Sequence, residues 1–559
     1  MKFYTNDFKK IILFFIAIFL FLFRVLWEYM SPVGPDDFKG LMYFRDIVTI
    51  FPASFLICFI FLKRDKFISS EKLKFLDWIQ QRWRLITLIM SLVIFCLCSL
   101  MSMFVFKTCA HIVDEANYLF QAKVFAAGRL TAPPAALSEE FFQILYFIQS
   151  PDKWYSSFFP GQSVLLAVGI LMKVPFLINP FLTAVLLLIT VWAGKKLYSI
   201  NTGVMAGFFL LCSPFVLFQG ASFFSHIFPA VLITIVLVWV LNTEEFFYGK
   251  VFVCGLMTGI IFLFRPVSAV VVILFLLSYF MLQRIKPEMI NKKFSYTFLI
   301  VYILGILPGI LLLLGYNNYL TGHYFITPHQ LALPNETLGF GVHSIKNTVV
   351  NITGLSVDLL ALPLLSLIPV ILFFLSDCKY SKLLLIFSIM YILAYSIYPY
   401  HGLSYGPRFY FEIVPILLIG SSRVLLKKCS FFSKKLTTYY SSFSKKAVIV
   451  TIIITVPIVC FFGIMPGRIS VFSKRGEYYH IRNTVQESVT PPAVVSIKSS
   501  EKYRLIPYLA GFQLNSPAWD GNIIFVRYLP EKKGKLMITY PKRKHYILDM
   551  DEKIVFSGS

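Results

Sequence analysis

Apolar runs close to the length of a membrane-spanning helix recur along almost the whole chain, and no other feature restricts its fold as strongly. They lie at about 11–27, 46–62, 85–106, 181–196, 203–219, 226–241, 251–264, 267–283, 297–315, 357–375, 383–399, 409–425 and 447–464. A hydrocarbon core about 30 Å thick is crossed by roughly twenty helical residues, and inside it a helix satisfies its own backbone groups. The expectation is an α-helical polytopic membrane protein with about thirteen transmembrane helices. Composition agrees. Of 559 residues, 57% are hydrophobic and 14% are charged, against about 25% charged in a typical soluble chain. The nine cysteines contain no Cys-x-x-Cys pair, so no metal knuckle is expected.

The net charge of +24 does not mark a nucleic-acid partner. Its basic residues sit in short clusters between apolar runs, which is how the positive-inside rule looks in sequence. Lys63, Arg64, Lys66, Lys72, Lys74, Arg82 and Arg84 follow the second run; Lys195 and Lys196 follow the fourth. Further clusters lie at 284–293, 379–382 and 427–446. All fall on one side if the N-terminus is cytoplasmic and Gly161–Val174, too short to cross, lies in the outer interface or re-enters. The basic start (Lys2, Lys9, Lys10) then leads into an uncleaved first helix.

On that topology the outer side receives a loop of about 107–180, the turn Gln219–His226, a second loop of about 317–356 and the turn Tyr398–Arg408. The chain divides into a transmembrane part, 1–465, and a C-terminal extracytoplasmic part, 466–559. In the latter, AVVSIKS (493–499) and NIIFVRYL (522–529) are separated by turn signals such as Pro491-Pro492 and Asp520-Gly521. They predict a small α/β or mostly β extramembrane domain.

Ionisable residues at a membrane edge are costly to keep. Asp114 and Glu115 stand just past the third run, at the head of HIVDEANYLFQAKVFAAGRL (111–130). As helix-capping acids they would be unremarkable; as acids beside a substrate they would be catalytic. Other candidates for the outer face are His226 in SFFSHIFP, Arg265 in Phe264-Arg265-Pro266, and Arg408 in YGPRFYFEIVP. A planar, permanently charged guanidinium suits a phosphate better than an ammonium does. Tyr118, Tyr405 and His401, in the same stretches, are further substrate-binding candidates. The Asn-x-Thr matches at Asn335 and Asn351 are acceptor patterns of a kind common by chance.

The order of these features resembles the membrane glycosyltransferases of the C-type fold, and most of all the protein O-mannosyltransferases and the lipid A aminoarabinose transferases. An acidic pair in the first large outer loop is followed by the aromatic-Pro-Gly stretch WYSSFFPG (154–161), a Ser-His turn, a helix-end Arg-Pro, a Gly-Pro-Arg-aromatic turn and a polar tail. The resemblance covers about 85–425; the two helices before residue 85 depart from it.

The resemblance implies transfer of a monosaccharide from a polyprenyl-phosphate donor to a lipid, glycan or protein acceptor at the outer face of a bacterial inner membrane. Asp114 would be the base for inverting attack and Glu115 would hold Asp114 or the acceptor. Arg408, then Arg265 and His226, would meet the donor phosphate. Membrane lipids are the remaining partner; no metal or cofactor is expected. Two other readings use the same substrate class: a transporter or flippase of polyprenyl-linked glycans, disfavoured by the lack of an internal repeat, and a polymerase or ligase of such glycans.

Overall fold

Most apolar runs become helices; proline lies inside some of the continuous ones, as Pro52 and Pro308, and coincides with a break in others. The computed structural model describes residues 13, 15–24, 26–27, 38–62, 73–242, 247–285, 296–336, 338–426, 445–476, 481–498, 506–549 and 554–558. The basic clusters at 63–72, 286–293 and 427–444 and the N-terminal lysines lie outside these residues.

The chain starts with α1 (Phe15–Arg24), α2 (Phe38–Leu62) and α3 (Leu73–Leu100). In the first loop come α4 (Val113–Ala126), a ribbon of β1 (Phe147–Gln149) and β2 (Trp154–Ser156), and α5 (Pro160–Leu171). Next are α6 (Ile178–Leu197), α7 (Ile200–Leu211), α8 (Pro214–Ala221), α9 (Ile227–Leu241), α10 (Tyr248–Phe262), α11 (Pro266–Ile285) and α12 (Tyr296–Thr321). They are followed by α13 (Pro328–Ala332), α14 (Val342–Asp358), α15 (Ile368–Leu375), α16 (Ser381–Tyr395) and α17 (Val414–Leu426). Helix α18 (Lys445–Ile458) runs through one π-helical turn into α19 (Met465–Gly476). Among the described residues, five helices are long and apolar enough to cross a membrane, or six if the bent pair α7 and α8 is one span.

Four departures from the expected spans have local causes. The run 203–219 is bent by 64° where Ser213 precedes Pro214. The run 357–375 is interrupted: one helix ends at Asp358 and the next starts at Ile368, and between them Ala361 and Leu364 take left-handed φ of 54° and 61°. The Ser366 hydroxyl there accepts from the Leu360 and Leu362 amides. The expected outer loop 317–356 contains most of α14. Finally, the compositional boundary at 465/466 falls inside a continuous helix.

Helix α9 is buried on nearly every side and lies in the core, whereas α12 turns Ile300, Leu304, Leu311 and Leu312 outward. Helices α10 and α12 meet along glycines. A Cβ on Gly309 would stand 2.1 Å from the Gly259 carbonyl oxygen, and one on Gly305 2.3 Å from that of Phe252. Such contact between backbones is how small residues join helices where no hydrophobic force drives them together.

The two N-terminal helices are tied in by buried charges. Arg24 Nε donates to Asp46 (2.8 Å), Arg468 donates to both Asp46 (3.0 Å) and Asp358 (2.5 Å), and Tyr43 Oη donates to Asp358 (2.6 Å). Pairing with aspartates offsets the cost of burying Arg24 and Arg468.

Beyond α20 (Ile481–Ser488) the chain forms a mixed sheet of β3 (Ala493–Lys498), β4 (Ile523–Arg527), β5 (Lys544–Asp549) and β6 (Ile554–Gly558). Strand order is β4-β3-β5-β6, with β3 parallel to β4 and β5, and β6 antiparallel to β5. Helices α21 (Ile506–Phe512) and α22 (Lys533–Thr539) make the two crossovers. This layer packs on the first loop. Lys123 Nζ donates to the Gln513 and Asn515 carbonyls, Trp519 stacks on Phe120, and Tyr508 Oη donates to the Phe141 carbonyl.

Candidate active site

Helix α4 begins where Ile112 is extended and Glu115, three residues on, reaches back to cap it. Glu115 Oε2 accepts from the His111 and Ile112 amides at 3.0 and 3.1 Å. The same oxygen accepts from Tyr405 Oη (3.0 Å), and Oε1 accepts from the Phe223 amide (2.9 Å). Glu115 is therefore buried in a cage of four donors from three parts of the chain. Burial pushes its carboxyl up to about 7, while the donors pull it down.

The turn at 222–226 is shaped by side chains that donate to its carbonyls. Asn179 Nδ2 donates to the Ser222 and Phe224 oxygens, and Gln162 Nε2 donates to that of Phe223. Its neighbour, the turn before α17, needs a left-handed backbone at Tyr405 (φ 55°) and at Gly406 (φ 116°). Pro407 then opens a short 3-10 turn, Arg408–Ile413. The result is that Arg408 leaves this turn toward α4. Its Nη1 donates to Asp114 Oδ2 at 2.7 Å, and its guanidinium lies 4.6 Å above the Phe224 ring.

A cleft with a cavity volume of about 70 Å³ surrounds this pair. Asp114, Arg408, Arg265, His329 and Ser157 supply its polar wall; Tyr118, Tyr395, Tyr398 and Tyr400 add hydroxyls, and five phenylalanines with Pro266 and Val267 complete it. Arg265 enters because α5 sits directly on its turn. The Gly161 amide donates to the Leu263 carbonyl at 2.7 Å, and a Cβ on Gly161 would strike the Phe264 ring at 2.4 Å. Arg265 is backed by Tyr395 Oη, which accepts from its Nε at 3.3 Å, and by Glu412, 3.6 Å away. Glu412 Oε1 also meets His226 Nδ1 at 3.2 Å.

Of the eight residues singled out from sequence, Asp114, Tyr118, Arg265 and Arg408 line the cleft. Glu115 and Tyr405 bond to each other behind it, so Glu115 holds neither Asp114 nor the cleft wall directly. His226 is buried and bonded to Glu412 rather than open to the cleft. His401 does not line it either; its Nδ1 accepts from the Leu403 amide. Asn351 is buried and bonded to the His401 carbonyl, so its Asn-x-Thr match is not presented for modification. The match at Asn335 includes Thr337, outside the described residues.

Sequence reasoning missed Glu412, Asn179 and Gln162, and placed His329 in the long outer loop without assigning it to the site. Glu412 carried a signal: an acid four residues after Arg408, inside an apolar run, is a functional candidate by the same cost argument that picked out the arginine. His329 had none, because nothing local ties it to Tyr146, whose ring it stacks on at 5.6 Å.

No family model matches this chain, and no curated protein matches it. Solved structures do. ArnT from Cupriavidus metallidurans bound to undecaprenyl phosphate superposes with a TM-score of 0.51 at 12% identity, over 84% of this chain and 90% of that one. The same protein in the apo state gives 0.50 with the same identity and coverage. The apo Archaeoglobus fulgidus oligosaccharyltransferase gives 0.48 at 12% identity, over 84% and 70%. At this identity the likeness is one of fold. The chain is an integral membrane protein with the C-type fold that ArnT, a lipid A aminoarabinose transferase, also has.

Proposed function

We propose that this protein transfers a monosaccharide from a polyprenyl-phosphate carrier to a lipid, glycan or protein acceptor at the outer face of a bacterial inner membrane. About thirteen spans, a cytoplasmic N-terminus and a C-terminal part on the outer side belong to the same reading. The observation that carries it is the meeting of Asp114 and Arg408, 294 residues apart in the chain, in one cleft with Arg265. The fold shared with ArnT, solved with undecaprenyl phosphate bound, supports the donor class.

The chemistry follows from the two charges. Asp114 takes the proton of the acceptor hydroxyl as its oxygen bonds to the anomeric carbon, which inverts. The bond from that carbon to the phosphate oxygen breaks, and its electron pair leaves with the polyprenyl phosphate. Arg408 and Arg265 stabilise that growing charge. Among the described residues Arg408 bonds Asp114 through Nη1; its Nε is buried, so Nη2 is the nitrogen left to take a phosphate oxygen. One guanidinium thus sets the base and the leaving group at adjacent edges of a plane. Glu115 acts through position, by fixing α4 to the two turns.

The test is Asp114→Asn in purified protein with a polyprenyl-phosphate sugar. Turnover is expected to fall by about 10²–10⁴-fold while donor binding persists. Undiminished turnover would remove Asp114 as base. A reporter fused after about residue 470 should face outward; a cytoplasmic signal would overturn the topology.

A further inference from the structure

Helix α14 is amphipathic in the opposite sense from a helix facing water. Its polar side chains point into the protein. Ser344, Asn347, Asn351 and Asp358 are buried; Asn347 Nδ2 donates to the Tyr398 carbonyl at 3.1 Å, and Asn351 Nδ2 to that of His401 at 2.6 Å. Over residues 342–352 most of its large apolar side chains point out, whereas Leu355 and Val357 further along are buried. Val342, Ile345 and Val349 are 87%, 74% and 57% exposed, and Ile352 continues the row. The spacings of three, four and three residues put all four on one face. In water such a face would be a liability; polar-in, apolar-out is the arrangement for an apolar surrounding.

Continuity with the outward apolar surface of the spanning helices says what that surrounding is. The outward face of the span α12 includes Tyr319 and continues past the helix end through Tyr324 and Phe325, and Leu338 and Phe340 lead into α14, all exposed. On the other side α14 is joined to α2 by Tyr43 and Asp358, and α2 turns Phe44, Val48 and Phe55 outward. The α14 row therefore belongs to one apolar belt. Lys346, exposed beside Ile345, is the only charged lysine or arginine of the helix, and a long basic stem reaches headgroups from such a position.

We propose that α14 lies in the headgroup–acyl boundary of the bilayer, its Val342–Ile345–Val349–Ile352 face sunk into lipid. A helix of this kind buries its apolar face by about 5–10 Å. Because its inner face holds the carbonyls of Tyr398 and His401, and Tyr398 and Tyr400 wall the cleft, the lipid surface sets the height of the cleft mouth. The partner is the membrane surface itself. The inference rests on the membrane fold and does not require the transferase reading.

The experiment places the photoreactive amino acid p-benzoylphenylalanine at Val349 or Ile345 in the full chain, reconstituted in nanodiscs of phosphatidylethanolamine and phosphatidylglycerol. These sites are open, so the substitution leaves the packing alone. The control position is Glu487, exposed in α20. After irradiation, mass spectrometry is expected to find lipid adducts at 345 and 349 about tenfold above the control, as for an interface-resident helix. Adduct levels equal to the control would overturn the proposal. So would irradiation in native membranes that yields a cross-linked second protein in place of lipid, since the face would then be a protein interface.

Discussion

Arg408→Lys keeps the charge at the centre of the cleft and removes its shape. In the structure one guanidinium bonds Asp114 at 2.7 Å, lies 4.6 Å over the Phe224 ring and 5.5 Å from that of Phe409. The ring contacts hold its plane, and the fork bonds the aspartate through Nη1 while leaving Nη2 for a second acceptor; Nε is buried. An ammonium is a point donor on a flexible stem. It can satisfy Asp114 or a phosphate oxygen, but it does not hold both in one geometry. The loss is then about one charge-assisted hydrogen bond to the donor, roughly 1.5–3 kcal/mol, which is about 10–150-fold in kcat/KM for the polyprenyl-phosphate sugar. The melting temperature should barely move, because the pair is partly open to solvent and a cation remains. The assay is steady-state transfer with donor and acceptor varied separately, beside thermal unfolding of the same preparation. A lysine variant with unchanged kcat/KM for the donor would refute the argument from the fork. A loss confined to the acceptor would move Arg408 to the acceptor side.

Three further outcomes follow from particular contacts. Glu115 must be ionised to accept from four donors, and burial has raised it to about 7. The transfer rate is therefore expected to fall as pH drops through about 7, and Glu115→Gln should show the low rate without that dependence; an unaltered profile in the variant would separate Glu115 from the acid limb. Glu412→Leu removes the hydrogen-bond partner of buried His226 and the counter-charge of Arg265, a loss of about 3–5 kcal/mol. It is checked by thermal unfolding, where a wild-type melting temperature would contradict the pairing. Gly309→Val forces a side chain into the Gly259 backbone at 2.1 Å and should destabilise by about 1–3 kcal/mol. Gly315→Ala, with nothing within 4 Å of the new carbon, should not; equal effects would show that the seam is not close-packed.

Much of the layout is local and so was readable along the chain. Apolar length marks the run 297–315 as α12, and the acidic pair Asp114 and Glu115 suits the N-terminus of α4. Alternating apolar residues between turn signals mark β3 and β4. Where local signals competed, hydropathy alone misled. The run 357–375 is apolar enough to span, yet Pro363 and Pro369 and a serine-capped turn stop it from being one helix.

What a side chain faces is decided by packing between segments far apart, and no local pattern encodes it. Asp114 and Glu115 are neighbours of the same chemical type, yet one faces the cleft and meets Arg408 while the other turns back into a cage with Phe223 and Tyr405. From sequence, the gathering of Asp114, Arg265 and Arg408 depended on counting helices; in the tertiary structure Asp114 bonds Arg408 and all three line one cleft, which does not depend on that count. The sequence by itself determined that this chain lives in a membrane and which acids and arginines stand at the ends of its helices, because apolar length and turn chemistry are local quantities. Only the tertiary structure decided which acid faces Arg408, which one anchors the helix, and that Glu412 stands behind Arg265. Direction at a helix end is set by the partners that packing brings to it.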